Sequence, residues 1–143
     1  RYMELGLDGR GLIGMDTLAA QSTEAQKIFD LAMDECCLSG IRFAVRFHLH
    51  PEVDAHVDMG GTAVSLVPRS GEVWVFRAGG ADLSLEPSVY LEKGRLKPRA
   101  TKQIVLSGVA LEYATEVSWT LAKATDVPGP VRDLAVDDLL AAD

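Results

Sequence analysis

The sequence predicts a mainly β protein, an antiparallel β-sandwich with one short helix near its N-terminus. Three observations carry that prediction. Apolar residues alternate at period two across most of residues 42–124, and they fall at period 3.6 in one earlier window. Short apolar runs also recur at roughly 8–12-residue spacing with turn residues between them, the pattern of a sandwich.

The elements follow in order. Residues 1–18 read as a hairpin: Tyr2, Met3, Leu5 and Leu7 lead into Asp8-Gly9, and Leu12, Ile13 and Met15 follow. Asp-Gly between apolar runs favours a type I′ turn, which needs positive φ at both central residues. From Ser22 the period changes. Ile28, Phe29, Leu31, Ala32 and Cys36 fall at helical spacing, Thr23 with Gln26 fits a capping box, and Gly40 stands where helices often stop. This predicts a helix over 23–36.

From residue 41 the period is two. Ile41, Phe43, Val45, Phe47 and Leu49 form one face of a strand, and Arg42, Ala44, Arg46, His48 and His50 form the other. Beyond Pro51, Val53, Ala55 and Val57 alternate with Asp54, His56 and Asp58. Gly60-Gly61 turns the chain into a strand over 62–67, and Arg69-Ser70-Gly71 turns it into 73–77. Gly79-Gly80 precedes Leu83, Leu85, Val89 and Leu91, and runs over 103–111 and 117–124 complete the series. Val73-Trp74-Val75-Phe76 is apolar on both faces and predicts a strand covered from both sides. Asp126-Val127-Pro128-Gly129-Pro130 cannot continue a strand, because proline lacks a donor. The β-domain is therefore placed at 1–124 and a linker with a tail at 125–143. Within the tail, 131–142 reads either as a short acidic amphipathic helix with Leu134, Leu139 and Leu140 inward, or as a frayed end.

Composition narrows the function. The 143 residues suit one domain, and 48% apolar with 24% charged residues argues against long disorder or a coiled coil. No window holds 18 consecutive apolar residues, so no transmembrane helix and no membrane partner are expected. Fourteen Lys and Arg against 21 Asp and Glu leave a net charge of −7, a poor match to a phosphate backbone, so nucleic acid is not an expected partner. Cys36 and Cys37 are adjacent, and two neighbouring thiols make neither an unstrained bridge nor a four-thiolate zinc site. Arg1 stands where a start methionine would, with no signal peptide before it, which predicts a piece of a longer protein and leaves the compartment open.

Two groups of residues could carry chemistry. His48 and His50 would project from one strand face about 7 Å apart, a spacing that suits two ligands of one metal ion. His56 is the candidate third ligand, with Glu52, Asp54 and Asp58 as oxygen donors. The plainer alternative is a polar, solvated strand face. Arg42 and Arg46, flanking Ala44 on the same face, make a cationic stripe. With Trp74 and Phe76 on a nearby strand it would form a groove for an acidic sugar, since guanidinium forks bind carboxylate or sulfate and flat rings stack on pyranose faces. The alternative there is cross-strand pairing with Glu72, Asp54 or Glu52. Lys93, Arg95, Lys97, Arg99 and Lys102 make a second basic group in the loop before Gln103. No nucleophile elbow, P-loop, dinucleotide fingerprint or metalloprotease helix occurs.

Several strings resemble the heparinase II/III family of polysaccharide lyases, in the later part of its C-terminal β-domain. They are Arg46-Phe47-His48-Leu49-His50-Pro51, Gly71-Glu72-Val73-Trp74-Val75-Phe76, Leu85-Glu86-Pro87-Ser88-Val89-Tyr90-Leu91, Gln103-Ile104-Val105-Leu106-Ser107-Gly108 and Val117-Ser118-Trp119. Leu7-Asp8-Gly9-Arg10 with Gly14-Met15-Asp16 is similar to that domain's hairpin. The resemblance implies a β-sandwich packed on an N-terminal (α/α) toroid of the same chain, an acidic polysaccharide as substrate, and β-elimination after abstraction of a uronate C5 proton. It also implies a periplasmic location. The family's H-G-H-A-D-like string and the toroid's catalytic tyrosine are missing from this sequence, so no catalytic residue is assigned, Tyr90 included. The chain alone is expected to be inactive. Arg42, Arg46, His48, His50 and Trp74 are the candidate substrate-binding residues. No cofactor is assigned, and a divalent metal enters only as a candidate for the full-length protein. The alternative reading is a free-standing carbohydrate-binding module, and a weaker third is a metal-dependent enzyme built on the three histidines.

Overall fold

A computed structural model describes residues 1–94 and 96–124. It is an antiparallel sandwich of two unequal sheets. A six-stranded sheet has the order β1-β2-β9-β6-β5-β4, and a three-stranded sheet has the order β3-β8-β7. Among the described residues the strands are β1 (Tyr2–Leu5), β2 (Gly11–Ala19), β3 (Ile41–His48), β4 (Asp54–Asp58), β5 (Ala63–Val67), β6 (Trp74–Gly79), β7 (Asp82–Tyr90), β8 (Arg99–Ala110) and β9 (Ala114–Lys123), with one α-helix, α1 (Thr23–Glu35), and a single 3-10 turn at Met59–Gly61. The expected tail helix and the proline linker lie outside the described residues.

Three local expectations are corrected. Only Gly9 takes a positive φ in the first turn, so the connection is not type I′. It is a longer loop closed by Gly6 N–H to the Gly11 carbonyl at 2.8 Å, with Asp8 Oδ1 accepting from the Arg10 amide at 2.9 Å. The helix cap is Ser22 rather than Thr23: its hydroxyl accepts from the Ala25 amide at 3.1 Å, and Gln26 reaches back to the Ala20 carbonyl. The last two long strands begin earlier than periodicity suggested, at Arg99 and Ala114, so Arg99 and Lys102 belong to β8 rather than to a loop.

The helix is shallowly seated. Phe29 meets Tyr113 edge-on at 5.4 Å, and Tyr113 donates from its hydroxyl to Asp30, but no helical residue is fully buried. Ile28 and Leu31, which share the helical apolar spacing, face solvent at 68% and 65% exposure.

The core lies between the sheets. Ile104 and Leu106 from β8 meet Ala55, Val64, Leu66, Phe76, Val117 and Trp119 of the larger sheet. At its centre the Phe47, Phe76 and Trp119 rings pack with centroids 5.0–5.9 Å apart. Gly14 lies opposite Trp119 in the β2–β9 ladder, and a Cβ there would overlap the indole, so the close approach requires glycine. Beside the rings is a buried carboxylate. Asp16 is 8% exposed and accepts from Arg1 Nε at 2.5 Å, from Arg1 Nη2 at 2.8 Å and from Trp119 Nε1 at 3.1 Å. The guanidinium in turn lies 4.9 Å from the Phe47 ring centroid.

The Arg1 hydrogen bonds hold the Asp16 carboxyl below the usual carboxylate range, against the opposing effect of burial. A depressed folded-state pKa contributes stability above the unfolded value, and that contribution is lost as pH falls through the folded one. Stability measured by urea denaturation should therefore fall below about pH 4, the ordinary carboxyl range. Asp16→Asn should flatten that part of the profile; an unchanged acid limb would show that Asp16 is not held ionised.

Candidate functional site

The candidate site is the outer face of the three-stranded sheet. Strict alternation along β3 turns Ile41, Phe43, Val45 and Phe47 toward the core and leaves Arg42, Ala44, Arg46 and His48 exposed. Antiparallel register extends this face in rows. Ala44 stands beside Ser107 and Asp82, Arg46 beside Val105 and Ser84, and His48 beside Gln103 and Glu86. Along the middle of the face β8 contributes Gln103, Val105, Ser107 and Val109. Its β3 side is cationic and its β7 side acidic.

Hydrogen bonds tie the far end together. His48 Nδ1 and Ser88 Oγ share a 2.8 Å hydrogen bond across β8, and the His50 ring meets Tyr90 edge-on at 4.9 Å. The Glu52 amide donates to His50 Nδ1 at 3.3 Å, and Ser84 donates to Glu86 at 3.3 Å. Gln103 donates to the Pro87 carbonyl at 3.5 Å, while its Oε1 is buried with no partner among the described residues. Arg42 and Arg46 form no ion pair among the described residues; the acids considered for them lie in or beside strands of the larger sheet and pair there. Glu72 pairs with Lys123, Glu52 with Arg69, and Asp54 with His56 and Lys102.

The structure keeps Arg42, Arg46, His48 and His50 together and separates the other candidates from them. His56 is on β4 of the other sheet, bonded through Nε2 to Asp54 at 2.9 Å, a contact that lowers the Asp54 pKa. The three histidines therefore do not converge. Among the described residues, no group of three or more His, Cys, Asp or Glu is placed to hold a metal. Trp74 and Phe76 do not reach the cationic stripe either. Both point between the sheets: Phe76 is core, and Trp74 lines an apolar cavity of ≈ 240 Å³ with Leu49, Val53, Leu66, Pro68 and Leu121. Val73, just before β6, is 41% exposed and Val75 on the outer side is half-buried, so the string is only partly covered on its outer side. Arg95 lies outside the described residues.

The reading of the sequence missed the β7 half of the face: Asp82, Ser84, Glu86, Ser88 and Tyr90. Their own period-two spacing opposite Leu83, Leu85 and Val89 was the available signal. Chemically the face can bind an anion through two guanidinium forks and donate or accept at His48 and Ser88. It shows no activated nucleophile, since no carboxylate orients the His48 ring among the described contacts.

Comparison with known proteins adds to this geometry. The family described as heparinase II/III-like, C-terminal, matches residues 1–120. Over 127 residues, 86% of the chain, the sequence is 29% identical to FtsZ-localized protein C of Caulobacter vibrioides (strain NA1000 / CB15N). The chain spans 22% of that relative's length. No solved structure matches.

Proposed function

The chain belongs to the heparinase II/III-like C-terminal family, and from that premise we propose that it is the β-sandwich domain of a larger heparinase-like polysaccharide lyase. The match over residues 1–120 carries the reading. In it, the domain packs on a catalytic toroid and the parent protein cleaves uronic-acid-containing polysaccharide by β-elimination. Arg42 and Arg46, exposed and without ion-pair partners among the described residues, hold carboxylate or sulfate groups of the polymer. Asp82 and Glu86 repel it, so the polymer runs along β3 rather than across the sheet. The net charge of −7 works against long-range steering and leaves the attraction local. Proton transfer belongs to a tyrosine and a histidine in the cleft between the two domains, from strings that this sequence does not contain.

The test uses heparin, heparan sulfate and alginate, with the ultraviolet absorbance of the unsaturated uronide as readout. The full-length protein should form product and the 143-residue chain alone should not. Arg42→Ala with Arg46→Ala in the full-length protein should lower kcat/KM about tenfold, or ~1.4 kcal/mol, with the thermal midpoint unchanged. Product from the chain alone, or a double variant with unaltered binding and turnover, overturns the assignment.

The relative favours a second reading. Its name records a position in the cell rather than a reaction, so the same domain architecture would serve a protein located with FtsZ. A fluorescent fusion coinciding with FtsZ, together with no uronide product, would select it.

A further inference from the structure

The six-stranded sheet has twice the strands of its partner, and β1 at its margin is left uncovered. Met3 and Leu5 pair with Gly14 and Leu12, so they lie on the core-facing side of the sheet. They are nevertheless 56% and 64% exposed, and Tyr2 on the opposite side is 57% exposed. The backbone is open at the same place. Gly6 N–H bonds to the Gly11 carbonyl, so antiparallel alternation makes Glu4–Ile13 and Tyr2–Met15 the hydrogen-bonded pairs with β2. The N–H and C=O groups of Met3 and Leu5 therefore point away from β2, toward the free edge.

The other three sheet edges carry the residues that discourage pairing. β4 presents Asp54, His56 and Asp58, β7 contains Pro87 with Asp82 and Glu86, and β3 presents Arg42 and Arg46. Charges and proline blunt an edge. β1 reads Tyr-Met-Glu-Leu, with a single charge and no proline. We propose that β1 is an acceptor edge: a further strand of polypeptide, apolar on the core-facing side, pairs with Met3 and Leu5, extends the six-stranded sheet and covers their side chains. The backbone ladder specifies a strand as the occupant, and the exposed Met3 and Leu5 side chains specify that its core-facing residues are apolar. Its source is the remainder of the larger chain, as expected where a domain of this size spans 22% of a relative. This rests on the reading of a larger heparinase-like protein.

Residue-resolved amide hydrogen exchange on the full-length protein tests it. The Met3 and Leu5 amides should exchange as slowly as Glu4, which is bonded to β2. Rapid exchange at Met3 and Leu5 beside a protected Glu4 overturns the proposal. Protection that vanishes when the protein is diluted to monomer assigns the strand to a second copy and overturns the occupant named here. Turnover measured on the same sample separates the two ideas. Slow exchange without uronide product removes the lyase reading and keeps the strand; rapid exchange with product does the reverse.

Discussion

Replacing Trp119 with alanine is expected to cost about 3–5 kcal/mol of stability, the upper range for a buried aromatic truncation. The indole is 4% exposed, touches both Phe47 and Phe76, and donates to the buried Asp16 carboxylate. Its removal leaves a void between the sheets and takes one of three donors from Asp16, so transfer, cavity and hydrogen-bond losses act together. Urea denaturation should show a lower midpoint with an unchanged slope. Trp119→Phe should restore packing without the hydrogen bond and recover part of the loss. A cost under about 1 kcal/mol, the scale of surface substitutions, would mean that the aromatic centre does not hold the sheets together.

Phe47→Ala should cost nearly as much, about 3 kcal/mol, although Phe47 is only half-buried. Its ring is the contribution of the smaller sheet to the aromatic cluster, 5.1 Å from Phe76 and 5.0 Å from Trp119, and it also carries the Arg1 guanidinium. The neighbouring Arg46→Ala should change stability by less than about 0.5 kcal/mol, because that side chain leaves the sheet on its solvent side. The pair of variants reads the register of β3 directly. Equal effects at 47 and 46 would contradict the alternation that places the candidate site.

That alternation is where the sequence was most legible. A strand has period two, so the run from Ile41 to His48 alone divides core from solvent, and the structure repeats the division residue by residue. The helix was legible for the same reason, through period 3.6, while its cap moved from Thr23 to Ser22 because several Ser and Thr positions offer equivalent local chemistry. The resemblance to the heparinase II/III family was likewise carried by short strings along the chain, and the family match covers them.

Periodicity says which side of its own sheet a residue takes; it does not say which sheet a strand joins. Trp74 was placed beside Arg42 and Arg46 on strand proximity, yet β6 pairs with β5 and β9 while β3 pairs with β8, so the ring and the guanidinium groups end on opposite sides of the smaller sheet. The same partition separates His56 from His48 and His50. The Asp16 site was also out of reach, since its donors come from positions 1 and 119 and only sheet pairing brings them together. By itself the sequence determined the β-rich class, most of the strands, the inward and outward residues of β3, and the family. Tertiary structure decided which faces adjoin, because strand pairing is a contest among distant segments settled by burial of the whole core rather than by any local pattern.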